Sequence, residues 1–309
     1  MNKSSQQKPA DFITPLLING LEGRVLHMPA PATKKRDILF IYGHHSTLER
    51  WWGMVQDLNQ YGSVTVPDLP GFGGMDSFYK IGLEPTIDNL ADYLATFVKL
   101  RYRRKKVTLC GLSFGFVVVT RMLQRNPELI KKVDILVSVV GFSHHGDFVF
   151  SPNRSRFYRI GTKALSHKVP SIVFKNLFLN PTIVRLAYAK TFNAKKKFEN
   201  LSKQDRKASM DFEVHLWHKN DIRTQALTSY EFFLLDNCKV KINLPVWHVS
   251  VKADRYFDNH TVEQHMRVIF SDFHEAKSNS GSHAPSILAD KEAASKIMPA
   301  SIRKILSED

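Results

Sequence analysis

Between Val107 and Val119 the chain reads VTLCGLSFGFVVV. A short apolar run ends at Gly111, one serine stands between Gly111 and Gly115, and the chain continues apolar on the far side. Few architectures accommodate that order. A run that is apolar along its whole length, closed by a glycine turn and followed by a second apolar segment, predicts a buried strand passing through a tight turn into a helix. Such strands belong inside parallel sheets that helices cover on both faces.

The segments around it repeat the alternation. RDILFIYG (Arg36–Gly43), SVTVPDLPGFGG (Ser63–Gly74) and VDILVSVVG (Val133–Gly141) predict strands, and TIDNLADYLATFVKL (Thr86–Leu100) carries apolar residues at helical spacing. From Ser143 to Cys238 the texture changes: basic and aromatic residues crowd together, and SIVFKNLFLNPTIVRLAYAKTF and SYEFFLLDN read as helices with bulky apolar faces. Alternation returns with the strand INLPVWHVSV (Ile242–Val251), the helix HTVEQHMRVIF, the short strand FHEAKS and a closing helix over KEAASKIMPASIRKIL. The expected fold class is therefore α/β, a mostly parallel sheet flanked by helices, with residues 1–142 and 239–309 as core and 143–238 as an inserted helical cap.

Composition agrees with a globular chain. At 309 residues, with 43% hydrophobic and 24% charged residues, it can bury a substantial core. No apolar run approaches the roughly 18 residues of a membrane span, and the N-terminal MNKSSQQKPADF lacks the apolar centre of a secretory signal. Two cysteines, Cys110 and Cys238, allow one pairing at most, so a reducing, cytoplasmic setting is expected.

A serine hydroxyl becomes a nucleophile only when a base takes its proton and donors receive the oxyanion. Gly111-Leu112-Ser113-Phe114-Gly115, between a predicted strand and a predicted helix, has the context of a nucleophile elbow. In it the chain resembles the α/β-hydrolase-fold serine hydrolases, over roughly its whole length, with only the cap poorly matched. The resemblance implies a triad ordered serine, acid, histidine. Ser113 would be followed by Asp254 in VWHVSVKADRYFD, with Asp258 as second choice, and by His283 in NSGSHAPS. Asp147 stays open as the acid, since some members place it after an earlier strand. The implied oxyanion donors are the backbone N–H groups of Phe114 and of His44, in Tyr42-Gly43-His44-His45 where the family usually reads His-Gly-x. Other departures are Phe116 after the elbow, Val251 three before Asp254, and Ser282 before His283. DLPGFGG (Asp68–Gly74) resembles the family's loop after the next strand and is expected to shape the fold near the site.

The activity so implied is cleavage of carboxylic esters of apolar acyl groups, with no metal or organic cofactor. The substrate-binding residues expected are His45, Phe174, Phe178 and Trp217. Thioesterase, acyltransferase and aminopeptidase chemistry would use the same triad, and a non-catalytic ligand-binding protein would keep the same shell. An aminopeptidase needs carboxylates for a substrate ammonium, and Asp211 and Glu213 are available in an otherwise basic cap. The paired histidines His44-His45 and His144-His145 lack carboxylate or cysteine partners at ligand spacing, and the helical pair His215 and His218 stands alone, so no metal site is read. With 44 basic against 29 acidic residues, the net charge is +15. RYRRKK (Arg101–Lys106) is expected as a solvated face at the sheet end opposite the site. NAKKKFENLSKQDRK (Asn193–Lys207), in the cap, suits peripheral contact with an anionic membrane, and no specific nucleic-acid partner is expected.

Overall fold

A computed structural model describes residues 7–190, 202–252, 254–280, 283 and 290–308. Eight strands form one sheet: β1 (Ile13–Ile18), β2 (Leu21–Met28), β3 (Arg36–Ile41), β4 (Gly62–Pro67), β5 (Val107–Leu112), β6 (Val133–Val139), β7 (Ile242–Val251) and β8 (Phe270–Ser278). Their spatial order is β1-β2-β4-β3-β5-β6-β7-β8. The pairs β1–β2 and β2–β4 are antiparallel, and every pair from β4 to β8 is parallel. β4 and β5 are buried along their full lengths. A central parallel strand has no wet face, which is why β5 reads as an unbroken apolar run.

Helices α1 (Trp52–Leu58), α2 (Ile87–Arg101) and α3 (Phe114–Arg125) cross between the parallel strands. α2 begins where the Thr86 hydroxyl accepts the Asn89 N–H (3.1 Å) and ends with Lys99 and Arg101 in its last turn, matching both ends of the helix dipole. A hairpin that the strand-helix alternation does not announce precedes them. β1 and β2 turn through Asn19-Gly20, both at positive φ (52° and 78°), the conformation of a two-residue hairpin.

Between β6 and β7 stand α4 (Pro152–Leu165), α5 (Lys168–Phe178), α6 (Pro181–Lys190), α7 (Lys203–Lys219) and α8 (Ile222–Phe232). The chain enters and leaves this insertion at one point: His144 and Asp236 form an isolated bridge, the His145 N–H donates to the Leu235 carbonyl (2.8 Å), and the Asn237 N–H donates to that of Ser143 (3.1 Å). Leu179, Val184, Val214 and Ile222 form a small core separate from the large one around the sheet. Of the basic stretch 193–207, residues 193–201 lie outside the described residues.

α9 (Asn259–Ile269) links β7 to β8. The closing segment, expected as one helix, is two, α10 (Lys291–Ser295) and α11 (Ala300–Ser307), because Pro299 has no N–H to give and stands at the N-cap of the second. Arg101–Lys106 lies at the N-terminal ends of the parallel strands. Its basic residues are exposed, as expected for a solvated face, and Arg101, Lys105 and Lys106 line a cleft of about 800 Å³ together with Lys34, Lys35 and Arg36. Cys110 and Cys238 are both free thiols.

One core group carries a pH dependence. His248 on β7 is 3% exposed and pairs through Nδ1 with the Ser138 hydroxyl (2.9 Å). Burial pushes its pKa down to about 4, against a small opposing pull from Asp254. The unfolded chain therefore takes up a proton below about pH 6.5 that the folded chain refuses, and stability is lost as the pH falls towards 4. Going from pH 7.5 to pH 5, this residue costs about 2 kcal/mol. Urea unfolding of His248→Asn should show a loss smaller by that amount than wild type, and an identical pH dependence would contradict the assignment.

Candidate active site

The elbow is held by two steric exclusions. Ser113 adopts φ 50° and ψ −115° between the end of β5 and the start of α3, a conformation that costs a non-glycine residue about 1–3 kcal/mol. Its N–H donates to the Val139 carbonyl on β6 (2.9 Å), so the neighbouring strand fixes the turn. A Cβ on Gly111 would lie 2.6 Å from the Cα of Phe116, and one on Gly115 would lie 2.1 Å from the Ile41 carbonyl oxygen. Both contacts are to backbone, which cannot move aside. The glycines flanking the serine are thus required by β5 and α3 packing against β3.

The side chains named in the sequence as serine, acid and histidine meet above the C-terminal ends of the parallel strands. His283 Nδ1–H donates to Asp254 Oδ2 (2.6 Å), and the Ser113 hydroxyl donates to His283 Nε2 (3.1 Å). The second carboxylate oxygen, Oδ1, accepts the backbone N–H groups of Tyr256 (2.8 Å) and Phe257 (3.3 Å). Burial pushes the Asp254 carboxyl up, but the His283 hydrogen bond and charge, with the two backbone donors, outweigh it and hold the pKa below the ordinary carboxylate value. Asp254 is therefore a carboxylate at neutral pH and fixes the His283 tautomer with the lone pair on Nε2, towards Ser113. The rings of Tyr256 and Phe257 pack against His283 at 5.0 and 5.4 Å.

The other two acids do different work. Asp258 accepts the Thr261 N–H (2.9 Å) and hydroxyl (2.8 Å), capping α9. Asp147 is fully buried, accepts the N–H groups of Ser143 (2.8 Å) and His144 (3.0 Å), and pairs with His265 at 2.5 Å, bracing the base of the insertion.

Phe114 opens α3, where the first N–H groups of a helix have no intrahelical acceptor. The His44 ring is enclosed edge-on by Phe72, Phe114 and Phe232. Burial, with neighbouring His45 adding to it, pushes its pKa down to about 3, so the ring is neutral. The Thr228 hydroxyl donates to the Thr224 carbonyl (2.7 Å), which makes it the acceptor of His44 Nε2–H (2.8 Å). His45, at φ 53°, pairs with the Gln225 amide and packs on the Trp217 ring at 4.5 Å. Both histidines are thereby clamped by α8. Phe174 reaches the Trp217 ring (6.4 Å), and Phe178 stacks on Phe174 and is 52% exposed.

The departure at Tyr42 has a structural reason. Its hydroxyl donates to the buried Asp68 (2.8 Å), which also accepts from Arg24 Nε (3.0 Å). Burial pushes Asp68 up to about 7 against the pull of Arg24 and Tyr42. This network anchors the Asp68–Gly74 loop on which the cap docks: the Asp221 N–H donates to the Gly71 carbonyl and the Gly73 N–H to the Asn220 side chain, both at 2.8 Å. Arg50, absent from the sequence reading, lies where charges from both layers reach it. Burial lowers its pKa, and Glu213 and Tyr188 on the cap and Tyr256 beside Asp254 pull the other way. One arginine at the end of a polar loop carries no signal in the sequence. Among the described residues no three His, Cys, Asp or Glu side chains converge at metal-binding range.

No protein-family model matches the chain, and no curated protein matches it by sequence. Solved structures do. An esterase from Thermogutta terrifontis superposes with a TM-score of 0.59 at 15% identity over 96% of both chains. An enol-lactonase from Burkholderia xenovorans gives 0.62 at 12% identity over 96% of this chain and 100% of its own. A deformylase from Pseudomonas putida gives 0.60 at 16% identity over 88% of this chain and 93% of its own. With the strand order and the crossovers described above, these define the class: the chain has the α/β-hydrolase fold.

Two glycines provide a paired test of the elbow geometry. Gly115→Ala places a methyl against fixed backbone and should cost about 3 kcal/mol or more. Gly161 in α4 has open space where its Cβ would be, so Gly161→Ala should stabilise by about 0.5–1 kcal/mol. Urea midpoints at pH 7.5 compare them, and a neutral Gly115→Ala would contradict the packing described.

Proposed function

We propose that the protein is a serine hydrolase that cleaves carboxylic esters of apolar acyl groups through an acyl-enzyme. The observation that carries this reading is the single imidazole of His283, bonded on one side to Asp254 and on the other to Ser113. As a substrate carbonyl settles over the elbow, Ser113 Oγ attacks the carbonyl carbon while its proton passes to His283 Nε2. Asp254 stabilises the resulting imidazolium. The Phe114 and His44 N–H groups receive the oxyanion, and the positive end of the α3 dipole adds to them. Collapse of the tetrahedral intermediate breaks the ester C–O bond, and His283 returns the proton to the leaving alcohol. Water, deprotonated by the same imidazole, then attacks the acyl carbonyl and releases the acid and free Ser113.

Several features support an apolar acyl group. The walls named above are aromatic: Phe72, Phe114 and Phe232 around His44, and Trp217 over His45. The carboxylates that an aminopeptidase would need are engaged, Asp211 with Arg185 and Glu213 with the Tyr188 hydroxyl, each at 2.8 Å. The neighbours named as an esterase and an enol-lactonase act on bonds of the same acyl–oxygen kind.

Hydrolysis of p-nitrophenyl esters from acetate to decanoate tests the reading. Activity should rise from acetate towards longer chains. Ser113→Ala and His283→Ala should each lower kcat by about 10⁶-fold. Asp254→Asn should lower kcat by about 10³–10⁴-fold. Asp258→Ala, which removes only a helix cap, should leave kcat within about twofold while costing about 1 kcal/mol of stability. Equal losses in the two aspartate variants, or activity surviving Ser113→Ala, would overturn it.

A further inference from the structure

The exposed surface of the cap helices α4–α6 is apolar and cationic at once. Of the seventeen large apolar side chains that are exposed among the described residues, ten lie between Val149 and Leu186, on or beside α4, α5 and α6. They are not marginal: Phe157 is 73% exposed, Val169 70% and Ile160 60%. A protein rarely gathers its exposed apolar side chains in one part of its surface unless that part meets something. Charge is just as unevenly placed. Between Asp147 and Glu199 the sequence holds no Asp or Glu, but eleven Lys and Arg. Arg156, Arg159, Lys168 and Lys175 all stand exposed on α4 and α5. Among the described basic side chains of this stretch, only Arg185 pairs with a carboxylate, Asp211 of α7.

We infer that α4–α6 form a docking surface for an anionic lipid bilayer. The charge identifies the occupant. A second copy of the chain would bring the same cations against themselves, because a two-fold interface meets its own patch. Anionic headgroups supply the missing negative charge, and the acyl region beneath them takes Phe157, Ile160 and Val169, while arginine and lysine stems run alongside. Among the described residues no helix is long and apolar enough to cross a membrane, so the contact is peripheral. Its position relative to the site follows from the packing: α4 and α5 rest on α8, and α8 carries Thr228 and Gln225, which hold His44 and His45. The docked cap therefore brings the bilayer to the layer that clamps the site. The surface stands independently of the chemistry, whereas its bearing on substrate, an ester presented by a membrane, rests on the function proposed above.

Flotation with vesicles tests this, using phosphatidylcholine alone and a 7:3 mixture of phosphatidylcholine and phosphatidylglycerol. Wild type should bind the mixed vesicles at least tenfold more tightly than the neutral ones. Arg156→Glu/Arg159→Glu should weaken binding to mixed vesicles at least tenfold. Phe157→Ser/Val169→Ser, at unchanged charge, should weaken it at least fivefold. Both variants should keep wild-type Tm and p-nitrophenyl butyrate turnover, since the altered side chains are exposed. Ser113→Ala should bind vesicles as wild type does, so failure of the triad reading and failure of this one are separable. Equal binding to both vesicles would overturn the inference, as would Phe157→Ser/Val169→Ser binding like wild type. A stable dimer in sedimentation that Phe157→Ser/Val169→Ser dissociates would overturn it in favour of a second copy.

Discussion

Ser113 occupies a backbone conformation that a serine adopts only under compulsion, and the compulsion comes from three strands at once. β5 delivers the residue, β6 holds its N–H through Val139, and β3 approaches so closely that Gly115 cannot carry a side chain. That cost is met by the buried sheet around it, whose central strands are covered on both faces. The hydroxyl thereby meets His283, which Asp254 holds from the loop after β7. Everything else in the site is arranged about an atom whose position is set by the core.

The walls depend on a second set of constraints that tie cap to core. Asp68, held by Tyr42 and Arg24, fixes the loop on which the α7–α8 junction docks. α8 then clamps His44 and His45 through Thr228 and Gln225. The neutral His44 ring is a structural spacer with its proton committed to Thr228. The same helix supports α4 and α5, whose exposed side chains include the cations and apolar residues of the proposed surface. Site geometry and the proposed membrane surface thus share one supporting element.

Much of this was legible before any coordinates. Strand-helix alternation at near-continuous apolar runs gave β3 to β7, because buried parallel strands have a pattern that local sequence carries. The G-x-S-x-G turn was legible for the same reason: its glycines answer to contacts within a few residues and one neighbouring strand. Proline breaks at Pro181 and Pro299 were present in the sequence but lay inside helical patterns that looked continuous. The β1–β2 hairpin left the Asn19-Gly20 signal, small beside the surrounding alternation. The resemblance puts Asp254 first, Asp258 second and leaves Asp147 open as the acid, but local sequence does not decide among them. Asp147, Asp254 and Asp258 all precede turns or helix starts, and only the fold shows that two of them are bonded to nearby backbone or to His265 while the third faces His283. Phe178 and Phe174 are alike in sequence, and only the fold shows that Phe174 packs on Trp217 while Phe178 stays half exposed. Arg50 owes its surroundings to residues from the cap and from the loop after β7, and contacts at that distance leave no local trace.

The central claim is that Ser113 is an activated nucleophile. Reaction with a fluorophosphonate at pH 7.5, followed by intact mass and peptide mapping, measures this without presuming a substrate. The account predicts a single adduct on the peptide containing Ser113, formed by wild type and absent from Ser113→Ala and from His283→Ala. A folded wild-type protein that stays unmodified, or an adduct that forms equally well without His283, would contradict it.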